Sequence, residues 1–292
     1  MSVIHLKNLT KDYGNHNGIF DVSFDVNQGE VVAFLGPNGS GKTTTIRHLM
    51  GFIQADDGVV SILDKDCFHQ REDVQKSLGY LPGEITLIDD MKAIEFIKFI
   101  AHMKNIKDFS KAERLVQFFE LDANIKVKKM SKGMKQKVGL VIAFMSDACI
   151  LILDEPTSGL DPLMQSKFVE LINKVKSEGK TVLMSSHIFE EVEHTCDRVI
   201  MIKDGHIIAD ESMIQLKNNR HKCYEIIFET EEEAMMFSKG YECQRDKNKV
   251  ILMNNNIKHI IKDLSQYEII DISSSVQSLE ELFLHYYGGQ HD

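Results

Sequence analysis

The sequence predicts an α/β protein. Its core is a mixed, mostly parallel sheet with an antiparallel β layer and a helical subdomain beside it, and a small α+β domain follows. Three observations predict this. Apolar, β-branched runs at 31–35, 150–153 and 181–185 read as strands buried on both faces. A glycine loop joins the first of these strands to a helix over 42–50. Residues 213–292 carry the order strand-helix-strand-strand-helix-strand, which is the ferredoxin-like layout.

In chain order, residues 4–6 and 18–25 alternate apolar and polar positions and read as strands of the antiparallel layer. Next comes Gly36-Pro37-Asn38-Gly39-Ser40-Gly41-Lys42-Thr43, the phosphate-binding pattern Gly-x-x-x-x-Gly-Lys-Thr, or P-loop. Glycines let backbone N–H groups converge on one concavity, and the helix start adds its positive dipole end. Lys42 supplies a full charge for the β- and γ-phosphates, and the Thr43 hydroxyl suits Mg²⁺. Thr44, next on the helix, joins the candidate phosphate contacts.

Residues 84–145 read as mostly helical. Ile94, Phe96, Ile97, Ile100 and Ala101 form one apolar stripe, and Leu115, Phe118, Phe119 and Leu121 a second. Lys126, Lys128, Lys129, Lys132, Lys135 and Lys137 crowd one segment. They read either as a solvated face or as attraction for a triphosphate.

The run 150–153 ends in Asp154 and Glu155. A buried strand delivers its terminal carboxylate to the sheet edge where ligands bind in open α/β folds. There Asp154 reaches the metal held by Thr43, and Glu155 faces the γ-phosphate as the base for an attacking water. Asp161 and Pro162 are a good N-cap and first helical residue. Phe168, Leu171, Ile172 and Val175 continue that helix, and Gly179 ends it. His187 follows strand 181–185 at the same sheet edge, placed either to donate to a γ-phosphate oxygen or simply to cap a loop.

Residues 223–230 read as a strand and 231–238 as a helix. A hairpin over 241–245 and 249–253 follows, then helix 257–264, strand 268–272 and helix 278–287. No catalytic constellation is visible there, so this domain reads as a packing or dimer-contact appendage.

Composition restricts the alternatives. Hydrophobic residues make up 43% and charged residues 27% of 292, as in an ordinary globular chain. The formal net charge of −10 argues against a nucleic-acid partner. The five cysteines are scattered, with no C-x-x-C pair, and Cys149 is expected to be a small buried hydrophobe. The histidines show no metal-ligand spacing. The apolar region 138–153 is broken by Ser146 and Asp147 and is not expected to span a bilayer. The first residues lack a signal-peptide layout.

Over about residues 2–212 these motifs resemble, in order, those of the ATP-binding subunits of ABC transporters. Tyr13 looks like the aromatic that stacks on adenine, and 36–43 like the Walker A loop of a P-loop NTPase. Met130-Ser131-Lys132-Gly133-Met134 resembles the signature segment. Asp154 and Glu155 resemble Walker B and its catalytic glutamate. Ser158 to Asp161 resembles the D-loop, and His187 the switch histidine. The resemblance implies that Ser131 and Gly133 contact the γ-phosphate bound by an opposite subunit.

Two departures stand out. Met130, Lys132 and Met134 replace the other members of Leu-Ser-Gly-Gly-Gln. After the strand near Tyr80, Gly83 or Glu84 stands where the family has a glutamine that binds Mg²⁺, and Glu84 is a candidate metal ligand.

The resemblance implies an ATPase (residues 1–212, helical subdomain about 84–145) with an accessory domain (213–292). It implies ATP and Mg²⁺ as cofactors, a second ATPase subunit, identical or not, and a separate membrane permease that holds it at the cytoplasmic face of the membrane. The run from Ser131 to Lys137 and the C-terminal appendage resemble exporters of peptides, antibiotics or drugs. The alternative is a soluble ABC ATPase of translation, repair or cofactor assembly. Such proteins usually carry tandem ATPase halves or coiled-coil insertions, and this chain has one motif set and no sustained heptads. A switch GTPase needs Asn-Lys-x-Asp, and Asn173-Lys174-Val175-Lys176 lacks the aspartate.

Overall fold

A computed structural model describes residues 1–218, 222–253, 257–276 and 278–281. The chain divides into two compact units, Met1–Met213 and Ile214–Asp292.

In the first unit the elements run β1 (Ser2–Asp12), β2 (Gly18–Asn27), β3 (Val31–Leu35), α1 (Lys42–Leu49), β4 (Asp57–Ile62), β5 (Lys65–Asp66), α2 (Arg71–Lys76) and β6 (Leu78–Leu81). There follow α3 (Ala93–Met103), α4 (Ser110–Phe118), a 3₁₀ turn at Val127–Lys129, α5 (Lys132–Phe144), β7 (Ile150–Asp154), α6 (Pro162–Ser177), β8 (Thr181–Ser186), α7 (Phe189–Thr195), β9 (Arg198–Lys203) and β10 (His206–Ser212). α8 (Met213–Asn218) begins at the division.

The central sheet has six strands in the order β10-β9-β3-β8-β7-β6. Every pair from β9 to β6 is parallel, and β10 is an antiparallel edge. β3 and β7 are buried at every position, as a strand covered on both faces must be. The N-terminal layer is a four-stranded antiparallel sheet in the order β2-β1-β4-β5. The core between the layers joins Ile4, Leu6, Val22 and Phe24 to Phe34, Ile46 and Leu49, and the Phe24 and Phe34 rings lie 5.5 Å apart. Each such side chain contributes about 1.5–3 kcal/mol by leaving water. That packing fixes β3 and α1, and therefore the loop between them.

Arg198, at the start of β9, ties the two layers. Its guanidinium donates to Glu30 at 2.7 Å, to both oxygens of Asp210 at 2.7 and 2.8 Å, and to the Asp25 carbonyl. The helical segment 84–145 buries Phe96, Ile97 and Ala101 of α3 and Ala112 and Leu115 of α4 against α5.

The second unit contains β11 (Lys222–Phe228), α9 (Glu231–Ser238), β12 (Cys243–Asp246), β13 (Lys249–Met253), α10 (Ile257–Leu264) and β14 (Ile269–Val276). Its strands pair antiparallel in the order β12-β13-β11-β14, the ferredoxin-like arrangement. Tyr224, Ile226, Phe228, Phe237, Val250 and Leu252 form its own core. β14 runs on to Val276, beyond the stretch 268–272 read from the sequence. In the expected helix 278–287, residues 282–287 lie outside the described residues.

Cys149 departs from expectation. It is exposed, because it sits on the turn before β7 rather than in the strand.

Candidate active site

β3 ends at Leu35 and α1 starts at Lys42, so the glycine loop is held at both ends by buried elements. Gly41 caps α1 at φ 111°, and a Cβ there would stand 2.5 Å from Ile19 Cγ2, which leaves glycine as the residue that fits. Lys42 is 6% exposed, and its ammonium donates to the carbonyls of Gly36 at 2.7 Å and Pro37 at 3.1 Å. It also stands 3.7 Å from Glu155 Oε1.

β7 places Asp154 at the base of the loop, 1% exposed. Asp154 Oδ2 accepts the Thr43 hydroxyl at 3.0 Å, and Oδ1 accepts the Ser185 hydroxyl at 2.5 Å. The Ser185 oxygen in turn accepts the Glu155 N–H at 2.9 Å. Glu155 sits at φ 50°, an uncommon left-handed backbone for a non-glycine residue. The buried Gln136 of α5 holds that turn by donating to the carbonyls of Glu155 at 3.1 Å and Pro156 at 2.8 Å. His187 Nδ1 lies 2.5 Å from Glu155 Oε2.

One cavity of about 340 Å³ gathers Tyr13, Asn38, Gly39, Gly41, Lys42, Thr43, Thr44 and Glu155. Tyr13 stands at its edge, 56% exposed. A larger cavity of about 840 Å³, lined by α4, the end of α5 and α6, holds none of these residues.

Ser131, Gly133 and Asp161 form a second group, and none of them lines the loop cavity. Ser131 caps α5, its hydroxyl oxygen accepting Met134 N–H at 3.2 Å, and Asp161 caps α6, accepting Met164 N–H at 3.0 Å. Lys132 Nζ donates to Ser158 Oγ at 2.9 Å. A Cβ on Gly133 would stand 2.4 Å from the Gly159 carbonyl, so the signature turn and the turn after β7 pack backbone to backbone. Within the lysine-rich segment, Lys128 pairs with Asp90 at 2.8 Å. Beside Asp154 stands Gly83, where a Cβ would lie 2.9 Å from Oδ2, while Glu84 is exposed one residue further on.

Sequence reasoning missed Gln136 and Ser185. Gln136 lies within the run from Ser131 to Lys137, where a polar residue on the buried face of a helix was the available signal. Ser185 is next to last in β8, a strand that already pointed at the site.

Carboxylate, ammonium, imidazole and a glycine nest thus converge at one sheet edge. This arrangement defines a hydrolase of nucleoside triphosphates. The family model described as ABC transporter matches residues 19–158. The uncharacterized ABC transporter ATP-binding protein YhcH of Bacillus subtilis (strain 168) is 31% identical, covering 97% of this chain and 95% of its own length. The bacitracin transport ATP-binding protein BcrA of Bacillus licheniformis is 28% identical over 99% of this chain and 98% of its own. The solved dimeric structure of MJ0796, a bacterial ABC transporter cassette, superposes with a TM-score of 0.66 at 27% identity, covering 72% of this chain and 98% of the cassette. The chain belongs to the ATP-binding proteins of ABC transporters, and it is an ATPase.

Proposed function

We propose that the chain is the subunit that energises a membrane exporter of peptides, antibiotics or drugs. Two copies, or this chain and a related one, sandwich two ATP molecules, each held between the glycine loop of one protomer and the Ser131–Gly133 turn of its mate. One observation carries the pairing. Within a single chain the signature group does not line the glycine-loop cavity, which is what a site completed by another molecule requires.

In this reading Lys42 and the loop amides bind the β- and γ-phosphates, and Tyr13 stacks on the base. Glu155 orients and deprotonates the attacking water, and His187 donates to the γ-phosphate. The Thr43 hydroxyl and the Asp154 carboxylate, 3.0 Å apart, are the hard-oxygen pair that suits Mg²⁺. Glu84 adds a further oxygen donor from the loop beside Asp154. Held there, Mg²⁺ would supply positive charge against the β- and γ-phosphate oxygens.

Among the described residues no helix is long and apolar enough to cross a membrane, which supports a separate permease. Its contact surface lies between 84 and 107, where Ile88, Phe99 and Met103 are exposed. That contact would hold the chain at the cytoplasmic face of the membrane. The export assignment is supported by BcrA, a bacitracin transport protein matched over nearly its whole length. Affinity purification of the tagged chain from detergent-solubilised membranes tests this. A polytopic partner that stimulates ATP turnover supports export coupling, and recovery with ribosomes or DNA instead rejects it.

A further inference from the structure

Glu191 of α7 is a carboxyl that the reading above leaves without a task. It is 5% exposed. Glu191 Oε2 accepts the Thr157 hydroxyl at 2.8 Å and the Ser186 hydroxyl at 3.4 Å. Its other oxygen, Oε1, is buried and meets no hydrogen-bond partner.

The two partners matter by position. Thr157 lies two residues beyond Glu155, in the turn closed by Ser158 N–H to the Glu155 carbonyl at 3.1 Å. Ser186 directly precedes His187, and its hydroxyl oxygen accepts Ile188 N–H at 3.0 Å. The Glu191 backbone is pinned in turn, its carbonyl accepting the Thr195 hydroxyl at 2.8 Å. One carboxylate oxygen therefore bridges the two loops that carry the 2.5 Å pair of Glu155 and His187.

We propose that Glu191 is a positioning residue for ATP hydrolysis, holding the turn after Glu155 against the strand end that presents His187. A buried polar group with one unpaired oxygen is costly, and its presence calls for a role that offsets the cost. A shift of about 1 Å in a reacting group lowers turnover by up to roughly 100-fold. The inference rests on Glu155 and His187 as the hydrolytic pair, so that assignment needs its own control.

The experiment compares ATP turnover by the full chain in wild type, Glu191→Ala, Glu191→Gln, Thr157→Val and Glu155→Gln, with KM and thermal midpoint recorded for each. Glu191→Ala and Thr157→Val should each lower kcat by roughly 10- to 100-fold at unchanged KM. Combining them should cost no more than the worse single change, because they break one link. Glu191→Gln keeps an acceptor oxygen and should restore kcat to within about threefold, by the same geometric argument. Wild-type kcat in both Glu191→Ala and Thr157→Val overturns the proposal. So does a joint loss of KM, thermal midpoint and kcat in Glu191→Ala that Thr157→Val does not share, since that pattern marks a packing residue. Full turnover in Glu155→Gln would reject the hydrolytic pair itself, whatever Glu191 does.

Discussion

His187 Nδ1 stands 2.5 Å from Glu155 Oε2, while Lys42 Nζ approaches the other oxygen, Oε1, at 3.7 Å. The carboxylate is thus held between two nitrogen groups brought from the end of β8 and the start of α1. The Glu155 backbone N–H donates to the Ser185 hydroxyl oxygen. The base is oriented by neighbours on two different segments, a requirement of catalysis by positioning.

From this follows the effect of His187→Ala. ATP binding should persist, since the glycine loop and Lys42 are untouched. Turnover should fall roughly 100-fold, about 2.7 kcal/mol of transition-state stabilisation. Steady-state kinetics at saturating ATP measure it, and an unchanged kcat would remove His187 from the site.

Lys132 departs from the usual signature pattern, and its bond to Ser158 at 2.9 Å assigns it to the surface shared by the signature turn and the turn after β7. An exposed bond of this kind contributes about 0.5–1.5 kcal/mol. Lys132→Gly should therefore weaken ATP-driven pairing by roughly 2- to 10-fold. Sedimentation across a concentration series reads this directly. Unaltered pairing and unaltered ATPase rate would show that the lysine has no part in the site.

The Arg198 network predicts a stability effect without a catalytic one. Arg198→Met leaves the partly buried carboxylate of Glu30 and the exposed carboxylate of Asp210 without their guanidinium partner. The expected loss is about 2–3 kcal/mol in urea denaturation, with the m-value preserved. A loss below about 0.5 kcal/mol would place the network among surface pairs of little consequence.

Burial pushes the Glu191 carboxyl up from 4.5 to about 7. The Thr157 and Ser186 hydroxyls oppose that shift, and the charge of Glu155 adds to it. The thiol of Cys196, at the end of the same helix, is itself raised to about 12 and stays neutral. Between pH 4.5 and 7 the folded chain keeps a proton that the unfolded chain has released, so this group lowers stability as pH rises through that window. At pH 8 Glu191→Gln should be more stable than wild type by up to roughly 3 kcal/mol, and the difference should vanish below pH 4.5. Paired thermal denaturations at several pH values check this, and a gap independent of pH would contradict it.

The residues whose signal is local were legible in the sequence. The glycine loop, the acids after 150–153 and the Asp161-Pro162 helix start each carry their meaning within a few positions, and the structure places them on β3–α1, at the end of β7 and at the cap of α6. The ferredoxin-like order of the second unit was legible for the same reason, since alternating periodicities are read one element at a time. Groups defined by long-range contacts were not legible. Gln136 reaches Pro156, Arg198 reaches Glu30, and Glu191 reaches Thr157, pairings across 20, 168 and 34 positions that no local pattern encodes. Cys149 was misjudged because one residue separates an exposed turn from a buried strand.

The central claim is a nucleotide enclosed by two protomers and hydrolysed through Glu155. Glu155→Gln keeps the shape of the side chain and removes the base. Given ATP and magnesium, this variant should run as a dimer in size-exclusion chromatography and retain about one ATP per protomer, as stalled hydrolysis requires. A variant that stays monomeric and carries no nucleotide under those conditions would contradict the account.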